Sequence, residues 1–492
     1  MGYQNPIIPG FHPDPSFCRV GEDYYLVTSS FEYFPGVPIY HSRDLVHWEQ
    51  LGHVLTRDSQ LPLKGVKRSQ GIYAPTIRYH NGLFYVITTN VGSIGNFIVH
   101  AADPAGPWSE PVPVDQMGID PSLFFDEDGK VYYTGTHRNK GDIQGIGMFE
   151  IDPLTGRRLS DTRIIWYGTG GKCPEAPHLY KINGMYYLMI AEGGTEYGHM
   201  VTIARSAAPY GPYEACPHNP ILTHAANGRG GDIAGTGHGD LLQAHDGSWW
   251  MTFLAFRPSE MYFHHLGRET FLCPVRWEDG WPIVHENRSI TLEMDVPCLP
   301  PVPFGTSPAR DTFAGGFVPH WNWLRNPVRT SYGLSDHGLT LTGTDVTLDM
   351  DENPTWLGRR QEQFDMRCQT LVKPLSLPEE GRAGLTVFYD CDHHYDLALY
   401  GDNLELRLCV GDIRHTAFSI PWNGPCELEV RSDRLTYQFY YGAPGQEKQL
   451  AGTAITRHVS TEATRLSFTG VYVALFAEKG AQANFPWFEC QQ

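Results

Sequence analysis

Long apolar runs, basic clusters and closely paired cysteines are what this 492-residue sequence has least of. No stretch approaches the roughly 20 consecutive apolar residues that a membrane-crossing helix needs, so no membrane partner is expected. Lysine and arginine total 37 against 55 acidic residues, a formal net charge of −18, and no basic tract interrupts that balance. A nucleic acid or an anionic surface is therefore disfavoured as a partner, and a neutral one fits better. The 10 cysteines are scattered from Cys18 to Cys490 without a CxxC pair. That argues against a zinc site or a disulfide scaffold and is compatible with reduced thiols. The opening Met1-Gly2-Tyr3-Gln4-Asn5-Pro6 lacks a basic segment followed by an apolar one, so a cytoplasmic location is the expectation. A phosphate-binding GxxxxGK[ST] loop, a GxSxG nucleophile turn and an HExxH metal motif are also missing, which removes the commonest nucleotide, serine-hydrolase and zinc-protease chemistries.

What is present is aromatic and β-like. Aromatic residues reach 13%, hydrophobic residues 41% and charged residues 19%, which is the balance of a globular chain. Rings of this abundance suit strands, cores and sugar-facing clefts. The length exceeds one ordinary core, so two domains are expected.

One phrase recurs: a short polar or proline-containing opening, an apolar strand, a turn with Gly or Asp, and a second strand led by aromatics. The openings are His12-Pro13-Asp14-Pro15-Ser16, Tyr73-Ala74-Pro75, Ile119-Asp120-Pro121-Ser122, Pro174-Glu175-Ala176-Pro177 and Gly237-His238-Gly239. The matching turns are Gly21-Glu22-Asp23, Asn81-Gly82, Asp128-Gly129, Asn183-Gly184 and Asp246-Gly247. Asn-Gly and Asp-Gly between apolar runs favour hairpins with positive φ at both central residues. Five such units at roughly 45 to 65 residues, with no strong amphipathic helix between them, predict an all-β chain that begins as a five-bladed β-propeller.

The texture changes at Val296. The proline-rich stretch Val296-Pro297-Cys298-Leu299-Pro300-Pro301-Val302-Pro303 supports neither a helix nor an interior strand. The predicted organisation is a propeller over 1–296, a linker over 297–310 and a lectin-like β-sandwich over 311–492, whose short alternating strands include Leu339-Thr340-Leu341-Thr342.

In a propeller the equivalent strands of all blades face one axis, so residues at matched places in each phrase converge. The openings carry Asp14, Asp120, Glu175 and His238. A lone Asp beside Pro is ordinarily a turn residue; three acids at matched positions of different blades suggest chemistry. Hydrolysis of a sugar acetal needs a proton for the leaving oxygen and an activated water on the opposite face. A third acid near the donor keeps it protonated by like-charge repulsion. Asp232 and Asp240, close to His238 in sequence, are read as loop residues.

These motifs, with Ser30-Phe31-Glu32-Tyr33-Phe34-Pro35-Gly36, Ala191-Glu192-Gly193-Gly194-Thr195 and Gly267-Arg268-Glu269-Thr270, resemble glycoside hydrolase family 43. The likeness is to its two-domain β-xylosidase and α-L-arabinofuranosidase branch. The resemblance implies an inverting, exo-acting enzyme that frees terminal xylose or arabinofuranose from xylan-derived oligosaccharides. It implies Asp14 as general base, Asp120 as the residue that tunes and orients, and Glu175 as general acid. Arg268 would hold the base or a sugar hydroxyl, Phe31 and Tyr73 would wall the pocket, and His238 would face a largely water-coordinated Ca2+ in the channel. Tyr73 replaces the Trp usual before Ala-Pro in such xylosidases, which changes the pocket floor. An endo-acting arabinanase, a retaining fructosidase-like hydrolase and a non-catalytic carbohydrate-binding protein are the alternatives. A homo-oligomer is compatible with the sequence.

Overall fold

The computed structural model describes residues 2–227, 231–285, 290–296, 298–305, 309–464 and 467–492. Pro297 and residues 306–308 of the expected linker lie outside these. Apart from 3-10 turns of three or four residues, the described residues are strands and loops.

The first half forms five antiparallel sheets in chain order. Sheet one contains Ser16–Val20, Asp23–Val27, Gly36–Ser42 and Glu49–Leu55. Sheet two contains Thr76–His80, Leu83–Asn90, Gly95–Ala101 and Val112–Pro113. Sheet three contains Ser122–Phe125, Val131–Arg138, Gln144–Glu150 and Arg163–Trp166. Sheet four contains Glu175–Ile182, Met185–Glu192, Met200–Ser206 and Glu214–Ala215, with Leu222–Thr223 also on its third strand. Sheet five contains Ala234–Gln243, Trp249–Phe256, Glu269–Glu278 and Trp281–Val284.

The Asn-Gly and Asp-Gly turns divide into two kinds. Asn81-Gly82 and Asn183-Gly184 have φ of 49° and 83°, and 51° and 80°, as a two-residue hairpin with the right twist requires. At Asp128-Gly129 and Asp246-Gly247 only the glycine has positive φ. Their strand ends pair further out, Phe125 with Val131 and Gln243 with Trp249, so the longer loop needs one left-handed residue instead of two.

The first strand of each sheet lies against the first strand of the next, and Ala234–Gln243 returns to Ser16–Val20. A polar cluster ties all five together. Asp240 accepts from Ser16 Oγ at 2.8 Å, Arg78 Nη1 at 2.9 Å and Tyr180 OH at 2.6 Å. Arg78 Nη2 and Ser122 Oγ each reach His178 Nδ1 at 3.0 Å. Asp240 is thus a fully buried strand residue, which corrects its reading as a loop residue.

The second half is two packed antiparallel sheets. One has the order Thr355–Arg360, Tyr472–Glu478, Arg382–Asp390, His393–Tyr400, Asn403–Val410, Ile413–Pro421. The other is built around Met366–Ser376 and Cys426–Ser432, and Leu357, Leu385, Leu397, Leu428 and Val473 fill the space between. Cys368 and Cys490 face each other in register and are joined by a disulfide. This pair departs from the reduced thiols with which the sequence is compatible, because antiparallel pairing brings together cysteines 122 positions apart. The halves share an apolar cluster in which Phe11, Phe31 and Tyr33 pack with Trp356, Phe388 and Tyr472. Tyr33–Phe34 also pairs as a short ladder with Trp323–Leu324.

Candidate active site

Asp14, Asp120 and the residue after Glu175, Ala176, have φ of 56°, 56° and 51°, and His238 has 51°. Left-handed backbone is costly for residues with a Cβ and persists where the surroundings enforce it. Here a proline follows Asp14, Asp120 and Ala176; the first strands of sheets one and three begin just after the bend, that of sheet four begins at Glu175, and His238 bends within the first strand of sheet five. The repeated opening therefore turns its side chain off the strand end toward the space the five first strands surround.

That space is a hollow lined by Asp14, Asp120 and Glu175, the side chains Phe31, Tyr73, Arg268 and His238, and also Thr195, His199 and Phe468. All seven residues singled out from the sequence meet there. It adjoins a wider chamber that shares Glu175, Thr195, Arg268 and Phe468 and adds Lys172, Tyr197, Phe256 and His264.

The three acids occupy different electrostatic surroundings. Burial pushes the Asp14 carboxyl up, but Arg268, His238 and a hydrogen bond from Ser29 together hold it below the ordinary carboxylate value. Ser29 Oγ donates to Oδ2 at 2.5 Å, Arg268 Nη1 donates to Oδ1 at 3.0 Å, and His238 Nδ1 lies 3.5 Å from Oδ1. Glu175 is raised, first by burial and then by the Asp14 charge, against weaker opposition from Arg268 and Lys172. Asp120 is raised well above its usual value by burial and by Glu175 and Asp14; its Oδ2 accepts from the Ala176 N–H at 3.2 Å. One acid is thus poised ionised and two poised protonated.

The loop before Glu175 is held by Glu192. Its carboxylate accepts from the Thr169 and Gly171 amides at 3.0 and 2.8 Å and from Thr202 Oγ1 at 2.6 Å. The Ala-Glu-Gly-Gly-Thr motif therefore builds the approach to the acid through Glu192 and supplies Thr195 to the hollow.

The aromatic wall crosses the two halves. Phe31 stacks on Phe468 at 5.8 Å and leans on Tyr73 at 5.1 Å. Ser69 joins the pieces: its amide donates to Glu32 Oε2 at 3.0 Å, its carbonyl accepts from Tyr73 OH at 3.0 Å, and its Oγ accepts from the Phe468 amide at 2.9 Å. Gly71, at φ 92°, lets the chain pass the Phe31 carbonyl, where a Cβ would meet the oxygen at 2.3 Å. Sequence reasoning missed Ser69, His199 and Phe468. Thr195 and His199 lie at or just past a quoted motif. Phe468 carries no local signal, because it reaches the hollow only through the packing of the second half on the first.

Residues 3–282 match the model of glycosyl hydrolases family 43, and residues 310–491 match the β-xylosidase C-terminal concanavalin A-like domain. A non-reducing end α-L-arabinofuranosidase of Bacteroides ovatus is 42% identical, over 99% of this chain and 94% of its own length. A β-xylosidase of Bacillus subtilis is 33% identical, over 99% and 98%. The crystal structure of a xylan β-1,4-xylosidase from Bacillus halodurans superposes with a TM-score of 0.93 at 35% identity, covering 100% of both chains. With both halves matched over nearly their whole length, the chain belongs to glycosyl hydrolase family 43 and is a glycosyl hydrolase that acts on carbohydrate.

Proposed function

We propose that this enzyme is an inverting, exo-acting pentosidase that removes terminal xylose or arabinofuranose from xylan- or arabinoxylan-derived oligosaccharides. The observation that carries the reading is the division of charge among three acids around one sugar-sized hollow. Asp14, held ionised, takes a proton from water as the water oxygen bonds to the anomeric carbon. Glu175, held protonated, gives its proton to the leaving oxygen as the glycosidic bond breaks, and the configuration inverts. Asp120 sits beside both and fixes the Ala176 backbone by accepting its N–H, while burial and the Asp14 charge keep the proton on Glu175.

The exo reading is supported by the aromatic wall of Phe31, Tyr73 and Phe468 around the smaller hollow, with the wider chamber on the Glu175 side for the rest of the chain being cut. The relatives named as an arabinofuranosidase and a β-xylosidase support a pentose in that hollow. We take the five sheets as blades of a five-bladed propeller, a reading supported by the closed ring of first strands. The proposed divisions are a catalytic unit over 1–296, a linker over 297–310 and a sandwich over 311–492.

The residues facing His238 do not fit a calcium ion held by protein oxygens. Its charged neighbours are Asp14, Arg268 and Asp240, and Asp240 is engaged by Ser16, Arg78 and Tyr180. Calcium takes six to eight oxygens, so an ion there would be held through water, and no step above passes through one.

The test is hydrolysis of aryl β-xyloside against aryl α-arabinofuranoside, followed by arabinoxylan fragments of defined branching, with the first-formed anomer read by proton NMR. Release of monosaccharide of inverted configuration is the expected result. A retained anomer, internal cleavage, or binding without turnover would each defeat a named part of the reading.

A further inference from the structure

We propose that His199 contacts the substrate directly, its Nε2 accepting a hydrogen bond from one hydroxyl of the sugar in the hollow, and so acts as a specificity-determining residue. This rests on the pentosidase reading above.

His199 lines the hollow yet is only 1% exposed. Its Nδ1 lies 3.3 Å from the carbonyl oxygen of Gly235. A carbonyl can only accept, so Nδ1 carries the hydrogen, and in a neutral ring Nε2 is left as a lone-pair acceptor. Nε2 has no hydrogen-bond partner among the described residues. Burial and the nearby His238 and Arg268 push the ring down to about 3, so it is neutral at any working pH. It therefore offers an acceptor without a charge.

The ring is also fixed. A Cβ on Gly237 would stand 2.3 Å from ring atoms Cε1 and Nδ1, so the imidazole lies directly on the Gly237 backbone. The backbone of His199 is pinned on both sides, its N–H donating to the Glu196 carbonyl at 3.0 Å and its carbonyl accepting from Thr223 Oγ1 at 3.0 Å. Buried acceptors almost always find a donor. Beside His199, Arg268 donates from Nη1 to Thr195 Oγ1 at 3.1 Å, and its buried Nε has no partner among the described residues. A sugar hydroxyl is both donor and acceptor, and one seated between Arg268 and His199 gives its hydrogen to Nε2.

The experiment compares wild type with His199→Phe, which keeps a flat ring against Gly237 but no acceptor. The substrates are an aryl pentoside and its monodeoxy and monodeoxyfluoro derivatives. C–F cannot donate a hydrogen bond, so at one position both derivatives should cost wild type about 10- to 100-fold in kcat/KM beyond the other positions. That penalty should shrink toward nothing in the variant, while penalties elsewhere stay. His199→Gln, whose amide reaches the Nε2 position, should keep part of the penalty, and His199→Asn, whose amide stops at Nδ1, should lose it; this pair carries the test if the Phe variant does not fold. A penalty pattern unchanged in Phe and Asn variants that retain their fold would overturn the assignment and leave the pentosidase reading intact. No turnover of any parent pentoside by wild type would bring down that reading and this assignment together.

Discussion

Arg268 donates from Nη1 to Oδ1 of Asp14 at 3.0 Å, across 254 positions of sequence. Its other terminal nitrogen donates to the Phe468 carbonyl at 3.1 Å, so Asp14, its counter-charge and the second half of the chain form one unit. Removing the guanidinium removes the largest influence that lowers the Asp14 carboxyl. In Arg268→Gln, Asp14 needs a higher pH to ionise, so the acid limb of kcat/KM moves upward. Turnover falls about 100-fold, the cost of small misplacements at a reacting centre. An unmoved acid limb would show that Arg268 does not control the base.

Glu175 is raised by burial and by the Asp14 charge, so the alkaline limb of kcat/KM lies above the ordinary glutamate value of about 4.3, with activity lost as pH rises and the proton leaves. Glu175→Ala should lose rate severely on natural oligosaccharides but less on aryl glycosides whose leaving groups need little protonation. Equal losses on both would remove Glu175 from the role of acid.

Asp14→Asn keeps the shape of the side chain and loses the base. Turnover should fall by about two to four orders of magnitude, the range of a positioned proton-transfer group, with substrate binding measured by calorimetry largely kept. A near-wild-type rate would transfer the role elsewhere.

Ser69 ties Tyr73 to its carbonyl and the Phe468 amide to its hydroxyl. Ser69→Ala deletes the acceptor for the Phe468 amide, and KM should rise about three- to tenfold with a smaller change in kcat, since one buried hydrogen bond is lost at the wall and not at the acids. Steady-state kinetics on one aryl pentoside decides this.

Asp240 is fully buried and lies well below its usual range, down to about 2; burial opposes that shift, and Arg78, His178 and the hydrogen bonds from Arg78 and Tyr180 outweigh it. Because the folded value is depressed, its contribution to stability is complete above the unfolded value of about 4 and disappears as pH falls through about 2. Asp240→Ala leaves Arg78 buried without its partner and should destabilise the protein by about 3–5 kcal/mol, read by denaturant unfolding at pH 7. In that variant the loss of stability between pH 4 and 2 should be shallower than in wild type.

Much of this was visible in the chain itself. The five openings, the Asn-Gly and Asp-Gly turns and the alternating strands are local patterns, and local backbone preference produces hairpins wherever they stand. Asp14, Asp120 and Glu175 could be picked out because a repeat assigns equivalent residues to equivalent places. Asp240 was misread because its neighbours suggested a loop, whereas burial among Arg78, Ser16 and Tyr180 depends on partners from other sheets. The pairing of Cys368 with Cys490 escaped for the same reason, since strand register decides which cysteines meet.

By itself, the sequence determined the strands, the repeat, the division into two halves and which acids stand at matched openings, all of which follow from short-range periodicity and turn chemistry. Only the tertiary structure decided which acid stays ionised, that Ser69 and Phe468 finish the wall, and that His199 beside the hollow is left with an unpartnered Nε2. Charge state and hydrogen-bond partnership depend on burial and on atoms hundreds of residues away, and neither is set until the chain has closed on itself.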